Sequence, residues 1–110
     1  MSKKDDKVYL YHILESIKWI EKYLNSKTFD DFQTDKMLQD AVIRELEIIG
    51  EAAKNISDDL KNKYSYIPWK IIAGMRDKLI HHYFGVDLFL VWETATKDIK
   101  KLKRDIMKLL

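Results

Sequence analysis

The chain has 110 residues, 46% hydrophobic and 35% charged, with a net charge of +2. This fits one domain (residues 1–110) with a modest core, and excludes a disordered chain or one held in a membrane. There is no cysteine, so disulfides and thiolate chemistry are excluded and the cytoplasm is the expected location. The small net charge does not draw nucleic acid by bulk attraction, so any such binding has to run through a local patch.

No apolar run approaches the roughly 20 residues of a spanning helix. MSKKDDKVYL lacks the apolar core and small-residue cleavage site of a signal peptide. One proline and three glycines argue against a turn-rich β protein.

From about Asp5 to Asn25, Leu10, Ile13, Leu14, Ile17, Ile20 and Leu24 recur at three and four, which makes one apolar helical stripe. Asn25-Ser26 ends it. TFDDF (28–32) reads as a short turn with two aromatic anchors. A second helix is predicted from Thr34 as N-cap, with Asp35 in its first turn, to about Ile56. Its apolar positions are Met37, Leu38, Ala41, Val42, Leu46, Ile49 and Ala53. Gly50 inside it costs about 1 kcal/mol against alanine and permits a close approach. Ser57–Tyr66 is a polar connection with room for one helical turn.

Pro68 suits the first turn of a third helix, 68–83, with Gly85 as its stop. Asp87 caps a fourth, about Leu88 to Met107, with Leu88, Val91, Trp92, Ala95, Ile99, Leu102 and Ile106 on its apolar face. The expected fold is all-α, a four- to five-helix up-and-down bundle with short connections.

The third helix carries GMRDKLIHHYFG (74–85). At about 100° per residue, Ile72, Met75, Leu79 and His82 share a face that suits the bundle interior. Ala73, Arg76, Ile80 and Tyr83 share another, with Asp77 and His81 beside it. An isoleucine on that second face suggests a covering partner subunit. Asp77 and His81 stand at i and i+4, where a carboxylate can fix an imidazole tautomer and tune a general acid/base. The planar fork of Arg76 suits a phosphate. Arg76 and His81 lie about 140° apart on one helix, so they converge poorly on a small ligand. Two copies across a dimer seam solve that geometry.

Plainer readings exist for each residue. An Asp–His pair near a helix end is also an ordinary surface salt link, and His or Arg there complements the helix dipole. Tyr83 alone reads as a half-buried aromatic with a wet hydroxyl. His82 reads as structural, and His12 as a surface or packing histidine. His81 and His82 are adjacent and point apart, so no metal site is expected. No Gly-rich phosphate loop or GxSxG is present, and no cofactor is implied. Arg44 and Glu51 share a face of the second helix and could border the same cleft as the motif or simply form a solvated charge face. Lys97, Lys100, Lys101, Arg104 and Lys108 form a basic strip on the last helix, fit for phosphates, a protein partner or solubility.

RDKLIHHY has the form Arg76-x4-His81-x-Tyr83, which resembles the R-x4-6-H signature of HEPN domains and, in its fuller R-x4-H-x-Y form, the HepT branch. The likeness spans nearly the whole chain. IRELEIIGEAAKNIS (43–57), IPWKIIAGMRDKLIHHYFGVD (67–87) and a last helix containing VWETATKDI follow that family's layout in order.

The resemblance implies a homodimeric helical bundle with both motifs lining one cleft. It implies a metal-independent RNase that leaves a 2′,3′-cyclic phosphate. The toxin would be paired with an MNT-type nucleotidyltransferase antitoxin (MntA), which silences it by attaching AMP. Carried over, Arg76 holds the scissile phosphate and His81 moves protons. Tyr83 lines the cleft and accepts AMP. Asp77 stands where the family often has asparagine, so it either orients His81 or only caps its charge. Single-stranded RNA is the expected substrate. The competing expectation is a non-catalytic nucleotide- or substrate-binding subunit of a nucleotidyltransferase complex. A plain dimeric scaffold leaves the polar face of the third helix unexplained.

Overall fold

Helix caps divide the chain into its elements. The computed structural model describes residues 3–75, 77 and 87–110. Helix α1 (Lys3–Leu24) carries Asp5 and Asp6 in its first turn, where carboxylates complement the helix dipole. It stops as Asn25-Ser26 led one to expect, with Ser26 at φ 61° and the Lys27 N–H donating to the Leu24 carbonyl at 3.0 Å.

TFDDF is more than a turn. Thr28 and Asp31 form a capping box at the start of α2 (Phe29–Gln33): Asp31 N–H donates to Thr28 Oγ1 at 3.2 Å, and Thr28 N–H to Asp31 Oδ2 at 2.9 Å. The box holds Asp31 below its ordinary pKa of 3.8, chiefly through the hydrogen bond from the Thr28 backbone and then through the Thr28 side chain. Both aromatic anchors act as expected. Phe32 is fully buried, 5.6 Å between ring centres from Trp92. Phe29 meets Phe89 edge-on at 5.5 Å.

Helix α3 (Lys36–Lys54) begins one residue later than predicted. Asp35 is its N-cap, accepting from Leu38 N–H at 3.1 Å. Thr34 closes α2 instead, its hydroxyl donating to the Asp30 carbonyl at 3.0 Å. Met37, placed on the apolar stripe from the sequence, is 84% exposed. It lies five residues before Val42, about 140° round the helix from it. Helix α3 ends at Lys54, with Asn55 as C-cap.

Ser57 caps α4 (Asp58–Lys63), accepting from Leu60 N–H at 3.3 Å. Pro68 precedes α5 (Trp69–Ala73), and the buried Trp69 donates its indole N–H to the Tyr64 carbonyl at 3.1 Å. The single helix expected over 68–83 is interrupted. Gly74 is a turn residue whose N–H donates to the Lys70 carbonyl at 3.0 Å. A Cβ there would stand 3.3 Å from that carbonyl oxygen, so glycine eases the close approach. Met75 and Asp77 are helical again.

Asp87 caps α6 (Leu88–Glu93) as predicted, accepting from Leu90 N–H at 3.1 Å. The last helix is not uniformly α. A π turn, Thr94–Asp98, joins α6 to α7 (Ile99–Leu109), and the Ile99 N–H reaches back five residues to the Thr94 carbonyl. The Thr96 hydroxyl donates to the Trp92 carbonyl at 2.7 Å. That carbonyl is the i−4 acceptor a regular helix offers the Thr96 N–H, and such side-chain competition loosens a helix.

Helices α1 and α3 form the most extensive packed pair; α5 lies on α3, α7 on α1, and α2 bridges α3 and α6. Ile13, Ile17 and Ile20 meet Val42, Leu46 and Ile49 at the centre, closed by Val91, Ile99 and Ile106. The fold is all-α, with no strand among the described residues. Within them no helix is long and apolar enough to cross a membrane.

Candidate functional site

The segment singled out by sequence begins where Gly74 ends α5. Met75 is half-buried and packs against the core, as its stripe with Ile72 led one to expect. The next described residue, Asp77, faces solvent. Arg76, His81 and Tyr83 lie outside the described residues, so the expected Asp77–His81 pair and the Arg76 fork lie there too. His82, expected to be structural, lies there as well.

Asp77 does have a described partner. Lys54 Nζ stands 4.0 Å from Asp77 Oδ2 and 3.9 Å from Glu51 Oε1. The last turn of α3 thus reaches the segment that carries the motif. Both members of the Lys54–Asp77 pair are substantially exposed, at 41% and 59%, so its energy is small.

Glu51 belongs to a groove of about 420 Å³ between α1 and α3. Tyr9 and His12 border it from α1, and Arg44, Glu47 and Glu51 from α3 with its C-cap Asn55, over Ile48 and Ala52. Arg44 and Glu51 both border this groove and are exposed; the motif's own cleft lies outside the described residues. Tyr9 and His12 meet edge to face, 6.0 Å between ring centres and 88° apart. His12 is exposed, in line with the surface reading. The sequence marked neither Tyr9 nor Asn55. Their spacings are visible, but only the α1–α3 pairing brings them together.

The basic strip on the last helix is exposed at Lys97, Lys100, Lys101, Arg104 and Lys108. Lys97 is tied to Glu93 at 3.0 Å. A second cleft, about 400 Å³, lies between α5 and α7 beside Met75, with Ile72 and Leu102 among its walls. Among the described residues no group of three His, Asp or Glu is placed to hold a metal ion.

Comparison with known proteins covers the whole of this arrangement. The family described as "Ribonuclease HepT-like" matches residues 13–109. A Methanocaldococcus jannaschii protein named "Gamma-glutamylcyclotransferase and putative RNase" is 60% identical over 98% of this chain; the chain spans about half of that relative, 49% of its length. A second protein of that organism, named "Putative RNase", is 50% identical over 99% of this chain and 88% of its own length. A Thermococcus cleftensis protein named "Probable ribonuclease HepT" is 51% identical over 97% of each chain. No solved structure matches the chain. With the family spanning all but the first turns of α1, and relatives this close along nearly their full length, the chain belongs to the HepT-like family.

Proposed function

We propose that this chain is an endoribonuclease that cleaves single-stranded RNA without a metal ion. The observation that carries the reading is the family match over residues 13–109, which contains RDKLIHHY whole; relatives named as RNases support it.

The chemistry follows from the residue types. The 2′-oxygen attacks the adjacent phosphorus while the bond to the 5′-oxygen breaks, leaving a 2′,3′-cyclic phosphate and a 5′-hydroxyl. His81 takes the proton from the 2′-OH or delivers one to the leaving 5′-oxygen. A second copy of the motif across a homodimer cleft supplies the complementary transfer. Arg76 holds the phosphate and the charge that develops on it. None of these steps calls for a metal.

The chain acts as one helical domain, in the cytoplasm, as the toxin of a pair. Its antitoxin is an MNT-type nucleotidyltransferase that attaches AMP to Tyr83 and so blocks the cleft. Asp77 supports the site from the motif's second position.

The test is RNA cleavage by purified protein in EDTA, wild type against His81→Ala and Arg76→Ala. Wild type should produce cyclic-phosphate ends. His81→Ala should lose about 100-fold or more with an unchanged helical spectrum. Retained cleavage in His81→Ala would sink the assignment. A folded, AMP-free wild type that binds nucleotide but cleaves nothing would instead favour a binding subunit of a nucleotidyltransferase complex.

A further inference from the structure

Asp105 of α7 is a buried acid that the packing of the helices does not engage. It is 8% exposed, and no hydrogen bond or ion pair holds it among the described residues. No fully enclosed side-chain oxygen lacks a partner among those residues. The Asp105 oxygens therefore open onto the α5–α7 cleft, which Asp105 lines. A carboxyl so far from bulk water is costly without a donor, and the cleft is the side from which a donor can reach it.

The cleft is otherwise largely apolar. Ile71 and Ile72 of α5, Met75 after it, and Leu102 of α7 line its volume of about 400 Å³, within the range of small-ligand pockets. Ile71 is 74% exposed, so the apolar lining continues to the surface. Lys101 stands one turn before Asp105, on the same face of α7. It lines the cleft and is exposed, with no described ion pair. Lys97 lines the cleft as well, but Glu93 holds it at 3.0 Å. Asp98, also in the lining, faces solvent.

These features narrow the occupant. From Ile99 to Leu110 Asp105 is the sole acidic residue, against Lys100, Lys101, Lys103, Arg104 and Lys108. Such a surface attracts a polyanion and repels a basic protein segment. A bare phosphate would meet the Asp105 carboxyl. The occupant therefore joins an anionic group for Lys101 to an apolar body with a neutral N–H donor for Asp105. A nucleotide whose base carries an exocyclic amino group has all three parts. Carboxylates accept from cytosine N4, whereas uracil presents a carbonyl at that position. The cleft also adjoins the motif, because Met75 in its wall immediately precedes Arg76 in the chain.

We propose that the α5–α7 cleft is a subsite for one unstacked, amino-bearing base of single-stranded RNA. The exocyclic amino group donates to Asp105, and a neighbouring phosphate meets Lys101. The proposal rests on the RNase reading above and adds to it a place where bases are distinguished.

The test uses full-length protein carrying His81→Ala, so that RNA is bound and not consumed. Binding of fluorescent eight-residue oligo-C and oligo-U is read by anisotropy. Oligo-C should bind more tightly, by roughly fivefold or more. Asp105→Asn puts an amide N–H where one acceptor oxygen stood, so oligo-C should fall to the affinity of oligo-U or below it. Asp105→Leu should erase the preference as well. Asp105 has no bonded partner to strand, so both variants should melt no lower than the parent. Lys101→Ala should weaken both oligonucleotides alike and reduce the salt dependence by about one phosphate contact. No preference in the parent, or an unchanged C-over-U ratio in the Asp105 variants, would overturn the subsite while leaving the RNase reading standing. If neither Asp105 variant folds, the residue is structural and the subsite is overturned. Loss of nucleotidyltransferase binding with RNA binding intact would also overturn it, and make the cleft a protein contact. If the parent binds neither oligonucleotide and wild type cleaves neither, the RNase reading fails and takes the subsite with it.

Discussion

The carboxylate of Asp6, in the first turns of α1, accepts two hydrogen bonds from Ser57, 51 residues further on: 2.8 Å from its N–H and 2.6 Å from its hydroxyl. Asp6 is 4% exposed. Ser57 is at the same time the N-cap of α4, so one serine fixes the start of one helix and locks it to another. Asp6→Ala leaves two donors without their charged acceptor and should cost about 2–4 kcal/mol. Ser57→Ala should cost about 1–2 kcal/mol as a lost cap alone. Urea titration of both singles and the double checks this. The double should cost less than the sum, because the two changes remove one shared contact.

The capping box of α2 gives a pH dependence whose sign is fixed. Asp31 titrates below its ordinary value of 3.8 in the folded chain, so as pH falls the unfolded chain takes up the proton first. The contribution of Asp31 is therefore complete above that ordinary value and is lost as pH falls through the lower folded-state value. Thermal melts of wild type and Asp31→Asn should differ most near neutrality and converge in acid.

Ser26 ends α1 in the left-handed region at φ 61°, where a side chain crowds the backbone. Ser26→Gly should stabilise the protein by about 0.5–1 kcal/mol, because relief of that crowding outweighs the added freedom of the unfolded chain. An unchanged denaturation midpoint would mean that the serine is already at ease there.

Asp77 contacts Lys54 across exposed surface. Lys54→Ala and Asp77→Asn should each shift stability by less than about 1 kcal/mol. If Asp77 only caps local charge, Asp77→Asn should keep cleavage within about tenfold of wild type. A loss comparable to that of His81→Ala would instead assign it to orienting the imidazole.

Much of the fold was legible because the stripes were clean. Ile13, Ile17 and Ile20, and Ile99, Leu102 and Ile106, all sit where a 3.6-residue period puts them. The misplaced start of α3 has a specific cause. Thr34 and Asp35 are both good N-caps, and the choice depends on whether α2 exists to occupy the threonine hydroxyl; sequence alone left TFDDF as a turn. The interruption at Gly74 was hidden because Ile72 and Met75 continue a helical spacing across it. The motif RDKLIHHY was legible as a family pattern, whereas the α1–α3 groove was not. Tyr9 and Arg44 belong to segments that no local periodicity relates, and only the packing of α1 on α3 puts both on one groove.

The π turn at Thr94–Asp98 separates two properties of the last helix that usually travel together. Its wider ring holds one residue more than a regular turn. Deleting a single residue within it should let the backbone close into uninterrupted α-helix. It should leave the Ile99–Leu109 face where it is relative to α6, because the wide turn already absorbs the extra residue's rotation of about 100°. Lys103 should then keep Glu21, which it holds at 3.0 Å, and Ile106 its place in the core. Such a shortened chain should keep both its helical spectrum and its cooperative melt. In this region one residue more or less changes the width of a turn and not the way the helix is seated.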